Sequence, residues 1–193
     1  MDLKEYFCDI AAVSAQEFEG WYFEMSPERR NKCDRMTKKL AKKQCIAADH
    51  LAKVALSEAL NVPPTAVEIL VSPSGKPYVE GNPVYFSLSH SENVVACVVA
   101  DRPVGIDVEV IRPIKPSIQE RICTDHELVY LRASENPEER NLRFLTLWTR
   151  KEAVFKRNGI LPRKDRQQNV LSPSDGVVFQ TRVEDGYVIS VAG

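Results

Sequence analysis

The sequence predicts an α+β fold, two long helices each set beside antiparallel strands. Three observations carry that expectation. Residues 38–60 and 137–158 hold helical patterns far longer than any strand. Segments 66–71, 84–91, 94–100 and 104–111 are rich in β-branched residues and alternate with period two. Short polar connections join 84–91 to 94–100, and 177–183 to 186–192, as antiparallel hairpins require. The order reads β-α-α-α-β-β-β to about residue 100 and β-α-α-β-β after it. The two halves are alike in outline, with no convincing repeat in sequence.

Composition narrows the possibilities. The 193 residues are 44% hydrophobic, enough for one large core or two small ones. Charged residues make up 27% and the net charge is -1, which gives no global attraction to nucleic acid or membrane. No run of 18 apolar residues and no secretory signal occur, so a cytoplasmic protein is expected. The cysteines Cys8, Cys33, Cys45, Cys97 and Cys123 are odd in number and form no CxxC pair. Reduced thiols account for them. With three histidines in the chain, carboxylates are the better candidates for any metal, which points to Mg²⁺ or Mn²⁺.

In chain order, residues 4–13 read as a first strand. Ser14 followed by Glu17 is a capping box that opens a helix over about 15–25. Ser26-Pro27 starts a short helix whose early turns carry Arg29, Arg30 and Lys32. Cations there oppose the helix dipole, so they are either solvated charge or the seat of a bound anion. In 38–60 the stripe Leu40, Ile46, Ala47, Leu51, Val54, Ala55 and Leu60 is assigned to the core. Pro63-Pro64 ends that helix, and 66–71 reads as a strand. Ser74-Gly75-Lys76-Pro77 is a turn. Strand 84–91 ends in Ser89-His90-Ser91, either a plain turn or a polar group placed for a ligand.

Residues 104–111 are the most informative strand. Val104, Ile106, Val108 and Val110 share one face; Gly105, Asp107 and Glu109 share the other. Carboxylates at i and i+2 lie roughly 7 Å apart and repel unless solvated or bridged by a cation. Pro113 and Pro116 mark a loop, and Thr124 with Glu127 caps a helix to about 133. Asn136-Pro137 opens the last helix and Gly159 closes it. On it Trp148, Glu152 and Lys156 are four residues apart and share a face, with Lys151 one residue round. Such a face is either solvated or one wall of a site for metal and phosphate. Residues 160–176 read as a loop.

The blocks GIDVE (105–109) and WTRKEAVFK (148–156) resemble the signature pair of the 4′-phosphopantetheinyl transferases. SPERRNKC (26–33), GKP (75–77) and FSLSHS (86–91) resemble that family's other blocks, in the same order, so the likeness spans about residues 26–159. The branch it resembles is the longer, pseudo-dimeric one typified by the surfactin-synthetase activator. The resemblance implies two similar halves, 1–102 and 103–193, related by a pseudo-two-fold axis, with the metal on the second half. It implies Mg²⁺-dependent transfer of the phosphopantetheine arm of coenzyme A to a serine of an acyl or peptidyl carrier protein, with release of adenosine 3′,5′-bisphosphate, by a monomer.

Carried onto this chain, the resemblance makes Asp107, Glu109 and Glu152 metal ligands, with Glu152 or a water as base for the serine. Lys156 would neutralise the α-phosphate. Lys76, Pro77, Ser89 and His90 would line the coenzyme site, Arg29 and Lys32 would meet its 3′-phosphate, and Lys151 would stand near a phosphate. Gln44 and Cys45 occupy the region where the family often has Arg or Thr, and Ser87 stands where Asn is common. Trp148 reads as a core anchor, and Arg112, Lys115 and Arg121 as candidates to meet an acidic carrier. Two other functions remain: a non-catalytic coenzyme A-binding module, and a metal-dependent phosphodiesterase. The second would need a further His or Asp cluster to prepare water, and the sequence offers none.

Overall fold

A computed structural model describes residues 3–81, 84–159, 168–173 and 176–193. The first half comprises β1 (Lys4–Asp9), α1 (Ala15–Glu24), α2 (Pro27–Asp34), α3 (Lys39–Leu60), a 3-10 turn (Pro64–Ala66), β2 (Leu70–Val71), β3 (Pro77–Tyr78), β4 (Tyr85–Ser91) and β5 (Val94–Ala100). The second comprises β6 (Gly105–Val110), α4 (Pro116–Ile122), α5 (Asp125–Arg132), α6 (Pro137–Asn158), β7 (Phe179–Glu184) and β8 (Tyr187–Ala192). One sheet runs β1-β5-β4 and another β6-β8-β7, both antiparallel, with β2 and β3 forming a small ribbon. Each main sheet is therefore one strand, a long helix, then a hairpin whose last strand sits in the middle. The α+β class is as expected. Among the described residues no helix is long and apolar enough to cross a membrane.

Local chemistry accounts for most boundaries. Both capping boxes form, Ser14 with Glu17 and Thr124 with Glu127. Asn136 caps α6, accepting from the amides of Glu138 and Glu139. Gly159 closes α6 in the left-handed region (φ 65°), as Asn61 closes α3 (φ 54°).

Three expectations are corrected. The first strand stops at Asp9 rather than running to residue 13, because Asp9 turns the chain: its Oδ1 accepts from the Ala11 amide and its carbonyl from Ala12. The strand at 66–71 shrinks to Leu70–Val71. Pro64 leads a 3-10 turn in which Ala66 and Val67 donate back to Pro63 and Pro64. On α3, Leu40 and Val54 are exposed, and the buried face takes in Gln44, Cys45, Ala48 and Asp49 instead. Of the expected loop at 160–176, residues 160–167 and 174–175 lie outside the described residues.

The core has three main parts. One lies under α3, where Leu51, Leu56, Phe86, Val95, Cys97 and Val99 pack together. One lies between the sheets, where Ala96, Val98 and Ala100 of β5 meet Ile106 and Val108 of β6 and Ile189 and Val191 of β8. The third joins α5 to α6 through Leu131, Phe144, Leu145 and Leu147.

The edges of the two sheets meet along β4 and β6. There the outward amides of Ile106, Val108 and Val110 donate to the hydroxyls of Ser87, Ser89 and Ser91, at 3.2, 3.2 and 3.0 Å. A buried amide left without an acceptor costs about 1–3 kcal/mol, so each serine closes a costly gap. On its other face β6 lies directly beneath α6. A Cβ at Gly105 would stand 1.9 Å from the Ala153 carbonyl oxygen and 2.6 Å from the Arg157 amide nitrogen, so only glycine permits this approach.

Candidate active site

The bare backbone at Gly105 brings α6 down onto the face of β6 that carries the two carboxylates. Lys156 Nζ reaches Asp107 Oδ1 at 2.7 Å, and Trp148 Nε1 donates to Glu109 Oε1 at 3.0 Å. Two helix residues eight apart, Trp148 and Lys156, thus meet two strand residues two apart, the two elements running in opposite directions. From β4, Ser89 Oγ donates to Asp107 Oδ1 at 2.9 Å and Ser91 Oγ to Glu109 Oε2 at 3.3 Å.

Asp107 is buried, and both its donors converge on Oδ1. Its Oδ2 is buried with no hydrogen-bond partner among the described residues. An ionised oxygen in that position is costly unless a cation meets it. Burial, and after it the neighbouring Asp107 charge, raises the pKa of Glu109 above the ordinary carboxylate value. A second positive charge would relieve both.

The cleft opens beside this pair. A cavity of about 340 Å³ is lined by Gly75, Lys76, Pro77, Phe86, Glu152 and Lys156, and a second of about 460 Å³ shares Lys76, Pro77 and Phe86. Gly75 takes φ 83°, which a turn here requires. Lys76 Nζ donates to the Arg157 carbonyl at 2.7 Å, so the turn is pinned to the end of α6. Burial, then the Arg157 charge, lowers the Lys76 pKa. His90 is exposed, yet desolvation of its ring and then the Lys156 ammonium hold its pKa below the usual imidazole value. Of the expected residues, Lys76, Pro77, Glu152 and Lys156 line one cavity, Lys156 pairs with Asp107, Ser89 donates to Asp107, and Glu109 lies two residues along the same strand.

Others stand apart. Lys151 does not reach this cleft. Its ammonium lies 2.8 Å from Glu127 Oε2 and donates to the Gln168 carbonyl, in a pair with both side chains at 1% exposure or less. The expected phosphate contact is replaced by a structural one, because position 151 faces α5 once α6 has docked on β6. Arg29 binds Asp49 Oδ1 at 3.0 Å, and Lys53 binds Asp49 Oδ2 at 3.1 Å. Arg29 lines a separate cavity of about 920 Å³ with His50 and Lys53, and Lys32 is exposed on α2. Gln44 is buried and donates to the Glu92 carbonyl, holding the β4–β5 turn where Glu92 has φ 47°.

Two contributors go beyond the roles expected from sequence: Ser91, read there only as part of the polar group Ser89-His90-Ser91, and the indole N–H of Trp148, read there as a core anchor. The alternation Ser87-x-Ser89-x-Ser91 opposite Asp107-x-Glu109 was the available signal. Among the described residues, no three His, Cys, Asp or Glu side chains stand close enough to hold a metal unaided. The donor set nonetheless suits a hard cation that keeps waters and substrate oxygens as its remaining ligands, with Asp107 Oδ2 as the unpartnered oxygen it would meet.

Comparison with known proteins gives a family. Residues 103–188 match the family model described as the 4′-phosphopantetheinyl transferase superfamily. A 4′-phosphopantetheinyl transferase of Bacillus subtilis is 31% identical over 148 residues, 76% of this chain and 66% of that protein. The transferase Sfp of B. subtilis strain 168 is 30% identical over the same shares. The transferase AcpT of Salmonella typhi is 38% identical over 111 residues, 55% of this chain and 56% of the relative. The aligned part thus spans about two thirds of the Bacillus proteins' length.

Proposed function

We infer, from the premise that this chain belongs to the 4′-phosphopantetheinyl transferase superfamily, that it moves the phosphopantetheine arm of coenzyme A onto a serine of an acyl or peptidyl carrier protein. The observation that carries the reading is the partnerless Asp107 Oδ2 beside Glu109, with Lys156 on the same carboxylate and Lys76 in the adjoining cavity. A pyrophosphate is a substrate group that calls for both a cation held by carboxylates and ammonium groups close by. The halves, 1–102 and 103–193, would hold coenzyme A in the cleft between them.

When bound through Asp107, Glu109 and Glu152, Mg²⁺ or Mn²⁺ would supply charge neutralisation for the pyrophosphate. Lys156 would release Asp107 and pair with the α-phosphate, where negative charge grows as its bond to the β-phosphorus breaks. Lys76 and Pro77, pinned to α6, would seat the coenzyme, His90 would contact its phosphates, and Ser89 would act through Asp107, to which it donates. The neutral imidazole of His90 suits donation to an oxygen without strong competition for the cation. The carrier serine oxygen would bond to the β-phosphorus. Its proton would pass to Glu152 or to a water, and adenosine 3′,5′-bisphosphate would leave. Arg29 and Lys32 would serve the 3′-phosphate only after Arg29 leaves Asp49, or while it remains bound by one edge of its guanidinium.

The carrier would dock on the groove beside α4 and α5. It is a cavity of about 620 Å³ lined by Ile111, Pro113, Ile114, Leu128 and Leu131, with Arg112, Arg132 and Arg140 at its sides. Three arginines against two glutamates, Glu120 and Glu138, leave the sides of this apolar groove modestly basic, which suits an acidic helical surface, with Lys115 and Arg121 as further candidates to meet it. We take the protein to act as a cytoplasmic monomer.

The test is intact-mass spectrometry of apo carrier proteins incubated with this protein, coenzyme A and Mg²⁺. A mass gain of one phosphopantetheine arm, absent with Glu152→Gln and Asp107→Ala, supports the reading. Coenzyme A binding without any gain on a panel of carriers sinks it in favour of a binding module.

A further inference from the structure

The hydroxyls on β4 do two jobs, and they do not all do the same two. Ser87, Ser89 and Ser91 each accept from an amide of β6. A serine hydroxyl has one hydrogen and two lone pairs, so accepting the amide leaves its hydrogen to be placed elsewhere. Ser89 places it on Asp107 Oδ1 and Ser91 on Glu109 Oε2. Ser87 lies opposite Gly105, where no carboxylate exists to receive it.

Glu109 is consequently held from both sides. Trp148 of α6 donates to Oε1 and Ser91 of β4 to Oε2, two donors from two different elements on one carboxylate. Asp107 receives Ser89 and Lys156 on the same oxygen, and its other oxygen stays bare. Donors to the oxygens of a ligating carboxylate set its orientation and restrict its rotation, which is how an outer shell tunes a metal site. Two of these four donors, Ser89 and Ser91, come from the half of the chain that carries no ligand. The stitch between the sheets is therefore also the clamp on the carboxylates.

We propose that Ser91 is a positioning residue: its hydroxyl, anchored by the Val110 amide, orients the Glu109 carboxylate for a divalent cation shared with a coenzyme pyrophosphate. The inference rests on the transferase reading and extends it to a residue of the N-terminal half. It goes beyond backbone closure, because Ser87 supplies backbone closure without touching a carboxylate.

That difference is the control. Mn²⁺ binding is measured by electron paramagnetic resonance in the presence of saturating coenzyme A, with no carrier, for the unmodified protein and for Ser91→Ala, Ser91→Thr and Ser87→Ala. Thermal melts accompany each sample, to confirm folding. Ser91→Ala should weaken Mn²⁺ binding by about tenfold or more, the usual cost of losing an outer-shell partner. Ser91→Thr keeps the hydroxyl and should restore most of it, and Ser87→Ala should leave Mn²⁺ affinity unchanged while lowering the melting temperature. Equal loss of affinity in Ser91→Ala and Ser87→Ala, or failure of threonine to rescue, overturns the positioning role alone. Absence of Mn²⁺ binding by the unmodified protein overturns the role and the metal-dependent reading together.

Discussion

Replacing Lys151 by methionine removes an ammonium and keeps most of the side-chain volume. That ammonium lies 2.8 Å from Glu127 Oε2, in a pair whose side chains are 1% and 0% exposed, and it also donates to the Gln168 carbonyl. Removing one partner of a buried pair costs about 3–5 kcal/mol, chiefly through the charge left behind. Glu127 would keep two donors, the Thr124 amide on Oε2 and the Val170 amide on Oε1. These hold the loss near the low end, at about 3 kcal/mol. For a chain of this length each kcal/mol moves Tm by about 2–4 °C, so melting should fall by about 6–12 °C. Adding Glu127→Gln to Lys151→Met should recover part of the loss, since the stranded charge goes as well. Melting is followed by circular dichroism, and coenzyme A binding by calorimetry well below Tm. An unchanged Tm together with a large loss of coenzyme affinity would refute the burial argument and return Lys151 to the substrate site.

Three further outcomes are expected. Gly105→Ala forces α6 off β6, because its Cβ would stand 1.9 Å from a backbone oxygen; stability should drop by about 1–3 kcal/mol or more, and transfer should fall with the displaced Lys156. A melt and a rate equal to those of the unmodified protein would contradict the packing. Burial pushes the thiol pKa of Cys33 up to about 11 and those of Cys97 and Cys123 to about 12. At pH 8 each should be thiolate in only about one molecule per thousand or fewer, so peptide mapping after brief alkylation should find half-buried Cys8 labelled ahead of these three. His90 titrates below 6.5, with burial the larger cause and Lys156 the next. The folded state therefore binds its proton less readily than the unfolded chain, and stability falls as pH drops from 6.5 through the folded-state value. In metal-free protein, NMR titration of Lys156→Met should show the His90 pKa rising, and a fall or no change would remove the ammonium as a cause.

Local rules made much of this protein legible in advance. Caps at Ser14, Thr124 and Asn136 need only neighbours a few residues away, so the starts of α1, α5 and α6 could be read directly. Alternation put Gly105, Asp107 and Glu109 on one face, and helical spacing put Trp148, Glu152 and Lys156 on another. The candidate carboxylates and Lys156 follow from those two periodicities and from the family's blocks.

What lay beyond the sequence is what depends on docking. Periodicity defines a face of α3 only to within a turn, so the sheet decided that Gln44 and Asp49 go in and Leu40 and Val54 stay out. The same limit applies to α6. Lys151 and Glu152 are adjacent, and only the depth set by Gly105 turns one to Glu127 and the other to the cleft. Arg29 found a partner, Asp49, twenty residues away. The serines of β4 meet the carboxylates of β6 through a sheet-to-sheet contact that no local pattern encodes. Sequence alone determined which groups could share a face. Tertiary structure decided which of them meet, because hydrogen bonds and ion pairs act over a few ångströms, while the chain distance between such partners runs from 17 residues for Lys151 and Gln168 to 81 for Lys76 and Arg157.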